Sequence, residues 1–169
     1  MKENTRKQMT DLRLIVFDFD GVFTDNRVIV NEDRKESVVC NRADGIGLSA
    51  LRSLGMDLLI LSSEPNGIVK RRSVKLKIKC INNCKNKLKA LSAEVKKRKL
   101  SFRQVAYVGN DINDLECLRV VGFPVAVKNS YKDILRCVKF RTQMAGGQGA
   151  VREICDLIYT AKTGGRRHA

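Results

Sequence analysis

At 169 residues, 43% of them hydrophobic, the chain is long enough for one domain with one buried core and too short for two comfortable ones. No apolar run reaches the ~20 residues that cross a bilayer, and the first residues carry no apolar signal-peptide stretch, so a cytoplasmic protein without a membrane partner is expected. The net charge of +15 invites a nucleic-acid reading, but an aromatic content of 5% with no Trp supplies few stacking platforms and argues against it.

Short apolar runs alternate with longer stretches of helical period, which predicts the α/β class: a doubly wound, Rossmann-like parallel sheet with helices on both faces. The first predicted strand is 12–17. A β-hairpin follows, with arms at 27–30 and 36–40 around a turn at 31–34. A helix over 45–54, with Asp44 as its N-cap, leads into a second strand at 57–61. Helix 66–76 precedes a third strand at 77–81, and helix 87–99 precedes a fourth at 104–108. Helix 113–120, a fifth strand at 123–127 and helix 149–163 close a single domain, 1–163, with no cap domain, repeat or linker. The tail 164–169 reads as mobile. The basic runs at 70–72 and 96–99 fall in predicted helices, where a solvated charged face is the common outcome; attraction of a small anion is a second reading. The six cysteines suit reduced, buried thiols. Cys80 and Cys84 are half a zinc pattern, which the lone His168 in the polar tail does not complete.

In an open parallel sheet the functional crevice lies beyond the carboxyl ends of the strands. Four such places carry polar residues: Asp18 and Asp20 after the first strand; Ser62, Ser63 and Glu64 after the second; Lys85 and Lys87 beyond the third; and Asn110, Asp111, Asn113 and Asp114 after the fourth. Oxygen-rich clusters suit Mg²⁺, which takes few protein groups, several waters and a substrate phosphate. A carboxylate beside that cation can attack phosphorus and form an aspartyl-phosphate. Asp18 is then the nucleophile, and Asp20 the group that protonates the leaving oxygen and later deprotonates water. A lysine offsets the crowded negative charge, and a hydroxyl orients a phosphoryl oxygen. Singly, each residue has a bland reading: Asp-x-Asp-Gly as a turn, Ser62 as a loop hydroxyl, Lys87 as a solvated helix face. Asp114 reads better as a hydrogen-bonded brace of the fourth loop than as a metal ligand.

The segments DFDGVFTD (18–25), Ser62, Lys87 and GNDINDLECL (109–118) resemble, in order, the four motifs of the haloacid dehalogenase-like phosphatases. The run GGQGAVRE (146–153) resembles the C-terminal signature of their capless branch, which holds the 3-deoxy-octulosonate 8-phosphate and nonulosonate 9-phosphate phosphatases and the C-terminal domains of some acylneuraminate cytidylyltransferases. The resemblance spans 12–161. It implies Asp18 as nucleophile, Asp20 as acid/base, Ser62 and Lys87 as phosphoryl-binding, and Mg²⁺ held by Asp18, Asp20 and Asn110. It also implies a homotetramer in which a neighbour's hairpin and tail help close each site. Within the branch, Glu at position 64 together with Lys at 75 goes with nonulosonate 9-phosphates, and Arg at 64 with octulosonate 8-phosphate; Glu64 and Lys75 are therefore the expected substrate-binding pair, with a surface ion pair as their alternative. Asn110 stands where many members have Asp, with Asp111 beside it; Ser63 replaces a usual Gly and Gln148 a frequent Arg. The expected function is a Mg²⁺-dependent sugar-acid phosphatase. A non-catalytic oligomerisation module and a nucleic-acid 3′-phosphatase are its competitors.

Overall fold

The structure, a computed structural model, describes residues 3–165. Its elements in chain order are α1 (Glu3–Asp11), β1 (Leu14–Phe17), β2 (Ile29–Val30), β3 (Glu36–Ser37), α2 (Ala43–Ser53), β4 (Asp57–Leu61), α3 (Gly67–Leu76), β5 (Lys79–Ile81), α4 (Lys87–Lys97), β6 (Val105–Gly109), α5 (Leu115–Val120), β7 (Phe123–Ala126), α6 (Lys132–Leu135), β8 (Phe140–Arg141) and α7 (Ala150–Thr163). No helix among the described residues is long and apolar enough to cross a membrane.

The strand β1 is apolar at every position because both faces of the sheet are covered. Successive side chains alternate sides. Ile15 and Phe17 join Leu48, Leu51, Val69, Ile154 and Ile158 on the face covered by α2, α3 and α7. Leu14 and Val16 join Leu91, Val95, Cys117 and Leu118 under α4 and α5. Each such side chain removed from water stabilises the fold by roughly 1.5–3 kcal/mol. The main sheet runs in the order β5-β4-β1-β6-β7-β8, every neighbouring pair parallel, so β1 lies inside it with Phe17 level with Ile60 on β4 and Val108 on β6. All carboxyl ends therefore open on one edge.

The doubly wound parallel sheet is as expected. The hairpin ladder is shorter than predicted: two residues pair on each side, Ile29 with Ser37 and Val30 with Glu36, and Cys40 makes an isolated antiparallel bridge with Thr24. Helix α1, β8 and the short α6 were not anticipated. Asp44 is not the N-cap of α2; the cap position is Arg42, and Asp44 is buried inside the first turn, where its Oδ1 accepts the Arg152 amide of α7 at 3.2 Å. Asn66 does cap α3, its Oδ1 accepting the Ile68 amide at 3.2 Å. All six cysteines are free thiols. Of the tail expected to be mobile, 166–169 lie outside the described residues.

Candidate active site

At the carboxyl edge the chain leaves β1 and turns at Asp18, whose amide still bonds Val108 O at 2.9 Å, so the nucleophile candidate is held by the sheet itself. Its own Oδ1 accepts the Phe19 amide at 2.7 Å. Phe19 and Phe23 stack 5.6 Å apart, and Phe23 meets Phe17 edge-on at 5.4 Å, anchoring the loop from beneath. Gly21 then takes φ +79°, and a Cβ there would stand 2.1 Å from Asn110 Nδ2. Only glycine lets the first and fourth loops approach so closely.

A single buried cation ties three elements together. Lys87 opens α4, and its Nζ lies 2.8 Å from Asp18 Oδ1 and 2.8 Å from Asp114 Oδ1. The reading of Lys87 as a solvated helix face is therefore excluded: 5% of the residue is exposed. Asp114, fully buried, also accepts Tyr107 OH at 2.7 Å on Oδ1 and the Asn110 amide at 3.0 Å on Oδ2. It is the brace of the fourth loop. Ser62 follows β4, buried, and its Oγ accepts the Glu64 amide at 3.1 Å.

Asp18, Asp20, Ser62, Glu64, Asn110 and Asp111 converge on a crevice of about 150 Å³. Two buried oxygens in it, Asp20 Oδ2 and Asn110 Oδ1, have no hydrogen-bond partner among the described residues. Burial, and secondarily the Asp114 charge, pushes the Asp18 carboxyl up to about 8 against the opposing pull of Lys87. Asp20 is raised too, by burial first and then by Glu64. The Lys87 ammonium is held above its ordinary value: Asp18 and Asp114 outweigh its burial. Among the described residues no three His, Cys, Asp or Glu side chains form a metal cluster, so an oxygen site here has to count the amide of Asn110.

Lys75 is not brought to this crevice. It is exposed in the last turn of α3, and among the described residues no ion pair joins it to Glu64. Sequence reasoning missed Glu36 and Asn26, which line an adjoining compartment of about 310 Å³ beside Asp20 and Glu64; the hairpin prediction was the signal, since its second arm carries Glu36. It also missed what the glycine-rich run at 146–149 does. A Cβ on Gly146 would stand 1.8 Å from Gly21 O, and Gly147 N bonds Val22 O at 3.1 Å, so this run clamps the Asp18–Asp25 loop from behind.

A family profile described as haloacid dehalogenase-like hydrolase matches residues 61–154. The 3-deoxy-D-manno-octulosonate 8-phosphate phosphatase of Escherichia coli is 31% identical over 153 residues, covering 90% of this chain and 81% of that protein. The enzyme of the same description from Moraxella catarrhalis, solved with magnesium, phosphate and the sugar acid, superposes with a TM-score of 0.93 at 31% identity, covering 98% of this chain and 95% of that one. Its counterpart from Yersinia pestis gives a TM-score of 0.94 at 28% identity, over 98% and 90% of the two chains. A parallel sheet that gathers Asp18, Lys87 and Asn110 at one edge, and relatives alike over nearly their whole length, lead to one assignment: the chain belongs to the haloacid dehalogenase-like hydrolases and is a phosphoric monoester hydrolase.

Proposed function

We propose that the crevice hydrolyses the phosphate ester of a 2-keto-3-deoxy sugar acid, with Asp18 as nucleophile and Mg²⁺ as cofactor. The observation that carries this reading is one buried lysine bridging Asp18 and Asp114 beside two buried oxygens, Asp20 Oδ2 and Asn110 Oδ1, that lack partners. Bare buried oxygens are costly unless a donor or a cation meets them, and a hard divalent cation takes this oxygen set. Asp18, Asn110 and an oxygen of Asp20 not engaged with the proton would hold it. Bound there, Mg²⁺ supplies neutralisation of phosphoryl charge and of the carboxylate that burial disfavours.

The remaining chemistry belongs to the side chains. The Asp18 carboxylate attacks phosphorus, while Lys87 and the Ser62 hydroxyl hold phosphoryl oxygens and Asp20 gives its proton to the departing alkoxide. Burial and Glu64 raise the Asp20 carboxyl, so it keeps a proton to higher pH than a solvated aspartate. Asp20 then takes a proton from water, which attacks the same phosphorus, frees inorganic phosphate and restores Asp18.

Among sugar acids we favour a nonulosonate 9-phosphate, on the acidic Glu64 at the crevice mouth; within one chain Glu64 carries that preference without Lys75. The octulosonate 8-phosphate reading is favoured instead by the activity of the E. coli and M. catarrhalis relatives. We also propose a homotetramer, supported by the exposed apolar hairpin residues Val28, Ile29 and Val30, which light scattering would read directly. The test of function is phosphate release with Mg²⁺ from both esters. Turnover of one of them, lost in Asp18→Asn and in EDTA, is expected; a variant that keeps its rate sinks the nucleophile, and no turnover of either ester sinks the substrate class.

A further inference from the structure

The crevice at Asp18 is the deep end of a longer groove whose charge changes sign along its length. Asp20, Asn26 and Glu64 belong both to the 150 Å³ crevice and to the 310 Å³ compartment walled by the hairpin. Glu36, Glu64 and Asn66 are shared in turn with an outer cleft of about 600 Å³, lined by Arg34 and Lys35 at the hairpin turn and by Arg71 on α3. The wall between them is tied: Asn66, fixed as the cap of α3, donates its Nδ2 to Glu36 Oε2 at 3.4 Å, joining β3 to the loop after β4. The hairpin turn is closed as well, with Asn31 N on Lys35 O and Arg34 N on Asn31 O, both at 3.0 Å.

From inside outward the groove presents metal-type oxygens, then two glutamates beside Arg27, whose charge is met by Asp25 at 4.0 Å, then three cations. Glutamates accept hydrogen bonds and repel anions, so the middle suits a neutral stretch of hydroxyl donors. At the outer end Lys35 is held by Asp33 at 2.7 Å, while the side chains of Arg34 and Arg71 make no ion pair or hydrogen bond among the described residues. A guanidinium offers a planar fork that matches a carboxylate. A polyanion such as nucleic acid would meet the carboxylates of Glu36 and Glu64 in the middle compartment.

We infer that Arg34 and Arg71 form a carboxylate subsite, so that the ligand lies along the groove with its phosphate at Asp18, its hydroxyls along Glu36 and Glu64, and its carboxylate at the outer cations. This rests on reading Asp18 as the phosphoryl end. It deepens that reading by fixing orientation: the ester and the acid stand at opposite ends of a polyhydroxylated chain.

The test measures affinity by calorimetry in the full chain carrying Asp18→Asn, with Mg²⁺, for a nonulosonate 9-phosphate and for octulosonate 8-phosphate, each against the same molecule with its carboxylate reduced to an alcohol. We expect the acid to bind at least about fivefold more tightly, as a modest charge-assisted contact at an open site gives. In Arg34→Ala, Arg71→Ala the ratio falls toward one, and in Arg71→Lys part of it remains. Each ratio is taken on one protein, so loss of folded material cancels. Equal or undetectable affinities for acid and alcohol, or a ratio that survives the double substitution, overturn the subsite. Phosphate released during the titration instead exposes failure of the nucleophile reading.

Discussion

Replacing Asp114 by Asn separates two jobs that a buried aspartate beside this crevice could do. Asp114 accepts Lys87 and Tyr107 on Oδ1 and the Asn110 amide on Oδ2, and all three are donors. An asparagine keeps one acceptor oxygen and turns its NH₂ toward a donor, whichever way it sits. At least one buried donor is left unpaired, at a cost of about 1–3 kcal/mol, and Lys87 loses one of its two opposing charges, worth about another 1–2 kcal/mol. The sum, about 2–5 kcal/mol, is survivable for a domain whose stability is typically 5–15 kcal/mol. For a chain of this length it lowers Tm by roughly 4–20 °C. The measurement is calorimetric unfolding in EDTA, where no cation contributes. A metal ligand would behave oppositely, leaving Tm in EDTA nearly unmoved while raising the Mg²⁺ needed for half-maximal rate. A Tm change under about 2 °C in EDTA would therefore refute the brace.

Gly146→Ala puts a Cβ into Gly21 O, a backbone atom that can move only by shifting the Asp18–Asp25 loop; phosphatase activity should fall by at least about tenfold through a misplaced loop, as displacements of ~1 Å cost more than that, with an unaltered rate counting against the clamp. Burial pushes the Asp44 carboxyl up to about 6, from an unfolded value of 3.8, against Arg152 and Arg72. A raised acid binds more protons folded than unfolded between those values, so its contribution to stability is greatest below about pH 4 and is lost as pH rises through 6, a span of about 3 kcal/mol. Chemical unfolding at pH 5 and pH 7.5 should show Asp44→Asn losing part of this slope; a slope identical to that of the parent chain would refute the assignment.

How much of this is legible in the sequence depends on how far apart the partners lie. The strands at 57–61 and 123–127 were found almost to the residue because a strand buried on both faces writes itself as an unbroken apolar run. Asp18, Ser62 and Asn110, which share one crevice, could be grouped from sequence because parallel strands deliver their carboxyl ends to one edge. Helix α1 stayed invisible because only Met9 among its residues is buried, and β8 because two residues have no period. Asp44 looked like a cap because Asp before an apolar run usually is one; its partner is an amide on α7, 108 positions away, which no local pattern encodes.

The same distance rule explains why the supporting residues matter more than their motifs suggested. Asp18, Lys87 and Asp114 come from three separate strand ends, and the loop that carries Asp18 is pressed from behind by Gly146 and Gly147. A two-aspartate turn is common, and by itself it would be solvated and mobile. Here the aspartate is nearly buried, its ammonium partner is buried with it, and the cost of both is offset by a fixed network whose members cannot be exchanged singly. Replacing Lys87 by Met should therefore not mimic the loss of Asp114: it removes the donor that both carboxylates need, leaving Asp18 and Asp114 facing each other in a site whose burial already disfavours the Asp18 charge. The sequence order of the motifs names the participants, and burial decides that they act as a unit.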